Sequence, residues 1–119
     1  MLDIGAWLEK WSRAVRDSFG SRVCFMGLQG SRARGEAGAE SDIDTVLILD
    51  ELSASDLARL RQAVAELPER DKLCGFVSGK EELRSWERSE LFQFYNDTRP
   101  IFGSLDFLLP LLDREAALR

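Results

Sequence analysis

The run Asp42-Ile43-Asp44-Thr45-Val46-Leu47-Ile48-Leu49 is the best strand in the chain, and segments of helical period stand on both sides of it. Upstream, Ile4, Trp7, Leu8, Trp11, Val15 and Phe19 recur at three- and four-residue steps, which predicts an amphipathic helix over 3–18 closed by Gly20. Downstream, a helix is expected over 53–66, with Leu57, Leu60, Val64 and Leu67 on one face and Pro68 as its stop; Ser53-Ala54-Ser55-Asp56 supplies the N-terminal cap. A strand bracketed in this way buries its faces under helices, so the chain must build a layered α/β structure.

The remaining elements follow the same alternation. Arg22 to Leu28 and Lys72 to Val77 read as strands, and Pro100 to Gly103 as a short fourth extended piece. Gly30 to Ser41 is a Gly-, Ala- and Ser-rich loop with room for one helical turn. Ser78-Gly79-Lys80-Glu81 resembles a capping box that opens a helix carrying Leu83, Trp86, Leu91, Phe92 and Tyr95. Ser104 is expected to cap a last helix bearing Phe107, Leu108, Leu111 and Leu112, which tolerates Pro110 only near its first turn. Residues 1–119 make a single domain on this reading.

Composition removes whole classes of chemistry. There is no histidine, which excludes Ser-His-Asp and Cys-His nucleophilic catalysis and imidazole-ligated zinc. Cys24 and Cys74, each in an apolar stretch, are expected to be buried free thiols rather than a disulfide or metal pair. A net charge of −5 argues against broad, non-specific nucleic-acid binding, which needs a wide cationic face. No apolar run reaches the roughly 20 residues of a membrane span, and no secretory signal opens the chain, so a cytoplasmic protein is expected. Chemistry here must rest on carboxylates, hydroxyls, Arg, Lys and a metal or nucleotide brought from outside.

Two features meet that requirement. Asp42 and Asp44 alternate at the start of the strand, so their side chains project to one side about 6.5–7 Å apart at Cα, a spacing that lets two carboxylates converge on a divalent cation. Asp is a poor strand former, and two on one face among Ile43, Val46 and Leu47 call for a reason, although a solvent-facing strand end would also give one. Before them, Gly30 permits a sharp turn that brings backbone N–H groups to an anion, Ser31 adds a hydroxyl, and Gly35 offers a second point of close approach. Arg32 and Arg34 carry charge suited to a triphosphate, but loop arginines are ordinarily solvated.

Gly30-Ser31, ten residues, then Asp42-Ile43-Asp44 resembles the signature of the polymerase-beta-like nucleotidyltransferase superfamily. Gly30 to Ala37 followed by Ser41-Asp42-Ile43-Asp44 is especially similar to the minimal nucleotidyltransferases of prokaryotes. The resemblance implies the nucleotidyltransferase fold, a small mixed sheet of three to four strands flanked by helices. It implies that Gly30, Ser31 and Gly35 bind the nucleotide and that Asp42 and Asp44 hold Mg2+. The implied reaction moves a nucleoside monophosphate from an NTP, with ATP expected, to a hydroxyl on a small molecule or partner protein, releasing pyrophosphate. The alternative it allows is a catalytically weakened nucleotide-binding, antitoxin-like module acting with a helical HEPN-type partner or by self-association.

The sequence departs from that family at one place. A third acid belongs on the strand Lys72 to Ser78, which carries no carboxylate; Gly75 stands where the acid is expected, with Asp71 ahead of the strand and Glu81 and Glu82 behind it. Loss of a general base costs about 10²–10⁴-fold in rate. The aromatic residues Trp7, Trp11, Trp86, Phe92 and Phe94 read as core by their helical spacing, while the density of residues 91–95 suits a pocket or partner surface as well.

Overall fold

In the computed structural model, which describes residues 2–38 and 40–112, Asp3 accepts a hydrogen bond from the Ala6 amide at 3.1 Å and starts helix α1, Ile4–Phe19. The helical period holds: Trp7, Leu8, Trp11, Val15 and Phe19 are all buried, each such burial contributing about 1.5–3 kcal/mol. Trp7 and Trp11 stack, and the Trp7 indole N–H donates to the Pro68 carbonyl at 2.7 Å, tying α1 to the segment after the next long helix.

Strand β1, Val23–Gln29, runs into a four-residue helix α2, Gly30–Ala33, which is the single turn that the loop had room for. Strand β2, Ile43–Leu49, pairs antiparallel with β1 and parallel with β3, Leu73–Gly79. Strand β4, Arg99–Gly103, pairs antiparallel with the other edge of β1, giving a mixed sheet of order β3-β2-β1-β4. One face, with Met26, Leu28, Ile43, Leu47 and Leu49, packs under α1 and α3, the latter spanning Ala54–Ala63. Phe25, Val46 and Ile48 point the other way, into a second core with Leu83, Leu91, Phe94, Leu105 and Leu108. Among the described residues, no helix is long and apolar enough to cross a membrane.

Several local expectations are corrected. The helix foreseen from Ser78 onward is two helices, α4 (Lys80–Arg84) and α5 (Arg88–Asp97), because Glu87 turns back to accept from the Ser89 and Glu90 amides and starts a new helix. The Ser78 capping box does not form: the Ser78 hydroxyl donates to the Gly79 carbonyl instead, and Gly79 is the cap. In α5 the inward face is Leu91, Phe94 and then Thr98, so Phe92, one step round the helix, is 57% exposed. Leu57 is likewise 41% exposed, because its neighbour Asp56 turns inward to Arg22. The final helix is entered through a 3-10 turn at Asp106–Leu108, Pro110 falls in the first turn of the helical residues 109–112, and 113–119 lie outside the described residues. Both cysteines are free, but Cys74 is exposed on edge strand β3 and only Cys24 is partly covered.

Close approach explains one glycine on the second face. A Cβ at Gly27 would sit 2.7 Å from both the Phe25 ring and the Thr98 methyl, so the α5–β4 junction can press on β1 only because residue 27 has no side chain.

Candidate active site

Ile43 is fully buried toward α1, so its neighbours Asp42 and Asp44 project to the opposite face of the sheet, where α5 lies. Asp44 is half-buried within β2, and Asp42, exposed, is the residue just before the strand begins. Across the antiparallel ladder Asp44 pairs with Gln29, the last residue of β1, so the aspartate lies level with the turn into α2.

That turn is built around Gly30. Its φ is +74°, a conformation side-chain-bearing residues adopt with strain, and a Cβ there would collide with Oδ2 of Asp44. The Asp44 carboxylate therefore rests directly against the backbone of residue 30. Ser31 follows, half-buried, in the first turn of α2, whose leading amides lack partners within the helix. Gly35 also has a positive φ, +74°, but open space surrounds the position of its missing Cβ. Its glycine is explained by backbone conformation rather than by close approach.

Two fixtures hold this loop, and neither has a local sequence signal. Arg32 is buried, and its guanidinium donates from Nη2 (2.9 Å) and Nε (3.3 Å) to the Ser41 carbonyl, tying α2 to the residue before Asp42. It is a structural arginine rather than a solvated one. Arg34 does lie in solvent, paired with Glu36 at 2.7 Å. On the other side, Gln29 Nε2 donates to the Thr98 hydroxyl (2.7 Å), which itself donates to the Phe94 carbonyl, so the floor of the site is pinned to α5.

The third-acid position is also corrected. In the parallel pair, Cys74 stands opposite Asp44 and Gly75 opposite Thr45. Gly75 therefore faces the α1–α3 side, and Cys74 is the residue that shares a face with the aspartates. Local desolvation by the surrounding protein and the nearby carboxylates of Asp44 and Asp42, with Asp44 accepting from the thiol, push the exposed Cys74 thiol above its usual range. Asp71 lies exposed in the 3-10 turn Arg70–Lys72, at the Asp42 end of the sheet. Glu81 and Glu82 are in α4, beyond Gly79 and Leu49 at the far end of the ladder, roughly 16 Å of strand from Asp44. Among the described residues no three Cys, Asp or Glu side chains form a group that could hold a metal. The Gly30–Asp44 contact thus brings one carboxylate to a glycine turn, with a thiol rather than a third acid beside it, while Asp42 stands exposed just ahead of the strand.

A family model described as a nucleotidyltransferase domain matches residues 8–98, a span holding both Gly30-Ser31 and Asp42-Ile43-Asp44. The chain belongs to the nucleotidyltransferase domain family. No curated protein matches it in a sequence comparison. The fold of this nucleotidyltransferase domain recurs in solved structures of low identity. A toxin-antitoxin crystal structure with AMP-PNP aligns at TM-score 0.60 and 19% identity over 92% of this chain and 84% of that one. The toxin-antitoxin MntA-HepT aligns at TM-score 0.56 and 16% identity, covering 96% and 85%. A tri-AMPylated Shewanella oneidensis HEPN toxin in complex with MNT antitoxin aligns at TM-score 0.57 and 15% identity, covering 96% and 84%.

Proposed function

We propose that the chain is a minimal nucleotidyltransferase acting as one domain: it moves a nucleoside monophosphate from an NTP, ATP by preference, to a hydroxyl acceptor on a small molecule or partner protein. The observation that supports this most is the seating of the Asp44 carboxylate against Gly30, a carboxylate oxygen beside the turn that opens α2. The fit to a divalent cation rests on the same contact, because glycine leaves the space the carboxylate fills. Asp42 and Asp44 would hold Mg2+, which when bound supplies charge neutralisation on the phosphates.

The residues of the chain do the positioning. The amides of the Gly30–Ser31 turn and the Ser31 hydroxyl hold the outer phosphates, while Gly35 lets the chain leave α2. Arg32, clamped to Ser41, keeps turn and aspartates in one frame. The acceptor oxygen then forms a bond to the α-phosphorus as the bond from that phosphorus to the α–β bridging oxygen breaks, and pyrophosphate departs. The acceptor proton passes to water or to a phosphate oxygen, because the group facing Asp44 is a thiol. Rate enhancement on this account comes chiefly from alignment and electrostatics.

Some structural neighbours are toxin-antitoxin complexes, one with an AMPylated HEPN toxin. By analogy we take a helical partner protein as the acceptor. Cys74 opposite Asp44 favours a second reading, a nucleotide-binding antitoxin-like module without efficient transfer. Calorimetry of Mg2+·ATP with the parent and the Asp42→Asn/Asp44→Asn variant tests the site; equal affinities would refute it. If the parent binds, labelled ATP with candidate partners separates the two readings by whether label is transferred.

A further inference from the structure

We infer that the α5 wall of the cleft beside Gly30 takes the nucleoside half of the nucleotide, an inference that rests on the nucleotidyltransferase reading above. The cleft has a volume of about 330 Å³ and is floored by Gln29 and Gly30, the turn against which the Asp44 carboxylate rests. That volume is at the low end for small-molecule sites, about 300–1,000 Å³, and suits one nucleoside-sized group. Its far wall is a single stripe of α5: Glu90, Gln93, Phe94 and Asp97, spaced to share one helix face, with Trp86 leading into it.

The chemistry of this wall matches an uncharged, hydrogen-bonding aromatic ligand rather than more phosphate. Two carboxylates would repel a triphosphate, and the one cation lining the cleft, Arg34, is paired with Glu36. Carboxylates accept from a ribose diol, and the Gln93 amide offers both a donor and an acceptor to a base edge. The apolar part is rigid: Trp86 and Phe94 meet edge to face at 5.4 Å, and Phe76 packs at 5.4 Å from Trp86 and 5.7 Å from Phe94. Gln29 is held in the floor by Thr98, so the surface is assembled before a ligand arrives. Phosphates at the Gly30 turn and nucleoside along α5 then form one continuous site.

The test compares Mg2+·ATP with Mg2+·tripolyphosphate, which shares the phosphates and lacks the nucleoside, by calorimetry on the parent, Glu90→Ala and Gln93→Ala. Both residues are exposed on a helix, where alanine is well tolerated, and circular dichroism checks the fold. Each variant should lose about 5- to 10-fold in ATP affinity and none in tripolyphosphate affinity, the effect of one hydrogen bond. Unchanged ATP affinity in both variants, or equal losses for both ligands, would overturn the assignment of α5. Failure of the parent to bind either ligand, or an Asp44→Asn variant that binds ATP as the parent does, would instead bring down the nucleotidyltransferase site itself, and this inference with it.

Discussion

Cys74 stands directly opposite Asp44 across the parallel β2–β3 pair, its thiol on the face the aspartate uses. Restoring a carboxylate there is the direct test of what the thiol costs. Cys74→Asp should raise transfer of labelled nucleotide by about 10²-fold, the lower range of general-base catalysis, with ATP affinity changed far less. No gain in rate would mean that residue 74 does not face the acceptor. Gly75→Asp, on the opposite face beside Thr45, should give no gain.

Gly30 and Gly35 share a φ of +74° but differ in what surrounds them. Alanine at either position should destabilise the fold by about 1 kcal/mol, read as a lower urea midpoint. Only Gly30→Ala also drives a methyl into the Asp44 carboxylate, so only that variant should lose Mg2+-dependent ATP binding. Equal binding by both variants would separate Gly30 from the site.

Arg22 forks onto Asp56 with Nη1–Oδ1 and Nη2–Oδ2 distances of 2.9 and 2.8 Å, joining the entrance of β1 to the first turn of α3. The guanidinium, with the Ser53 amide, holds the Asp56 carboxyl well below the usual carboxylate range. A group whose folded pKa is depressed contributes stability that is complete above its unfolded value, about 3.9, and fades as pH falls toward the folded value. Thermal unfolding followed from neutral pH into acid should therefore show Asp56→Asn less stable than the parent at pH 7, with the gap closing below about pH 4. A gap that widened in acid would contradict the pairing.

Arg32→Lys keeps the charge but loses the planar fork that reaches the Ser41 carbonyl through two nitrogens. We expect a stability loss of about 1–2 kcal/mol. Hydrogen exchange should quicken in the segment between α2 and β2, with β1 and α1 unaffected. A uniform change along the chain would argue for global rather than local loosening.

Much of this architecture was legible because its signals are local. The period of α1, the strand from Ile43, the Ser53–Asp56 cap and the glycine-then-aspartates order all depend on residues within a few positions of one another. Where reading failed, the missing quantity was a register. A step of one residue along β3 exchanges Gly75 for Cys74 as the neighbour of the aspartates, and the rotation of α5 decides that Leu91 is buried as expected while Phe92, expected beside it, is exposed. Arg22–Asp56 and Trp7–Pro68 link residues 34 and 61 positions apart and have no local signature at all.

The amino-acid sequence by itself determined that helices and strands alternate, that histidine chemistry is closed to this chain, and that a Gly-Ser turn precedes paired aspartates. Those properties belong to composition and short-range periodicity, which survive in any folded arrangement of the chain. Only the tertiary structure decided that Asp44 fills the space above Gly30, that a thiol faces it, and that α5 walls the cleft. Each of these depends on how separate elements slide and rotate against one another, and close packing of the two cores settles that globally rather than locally.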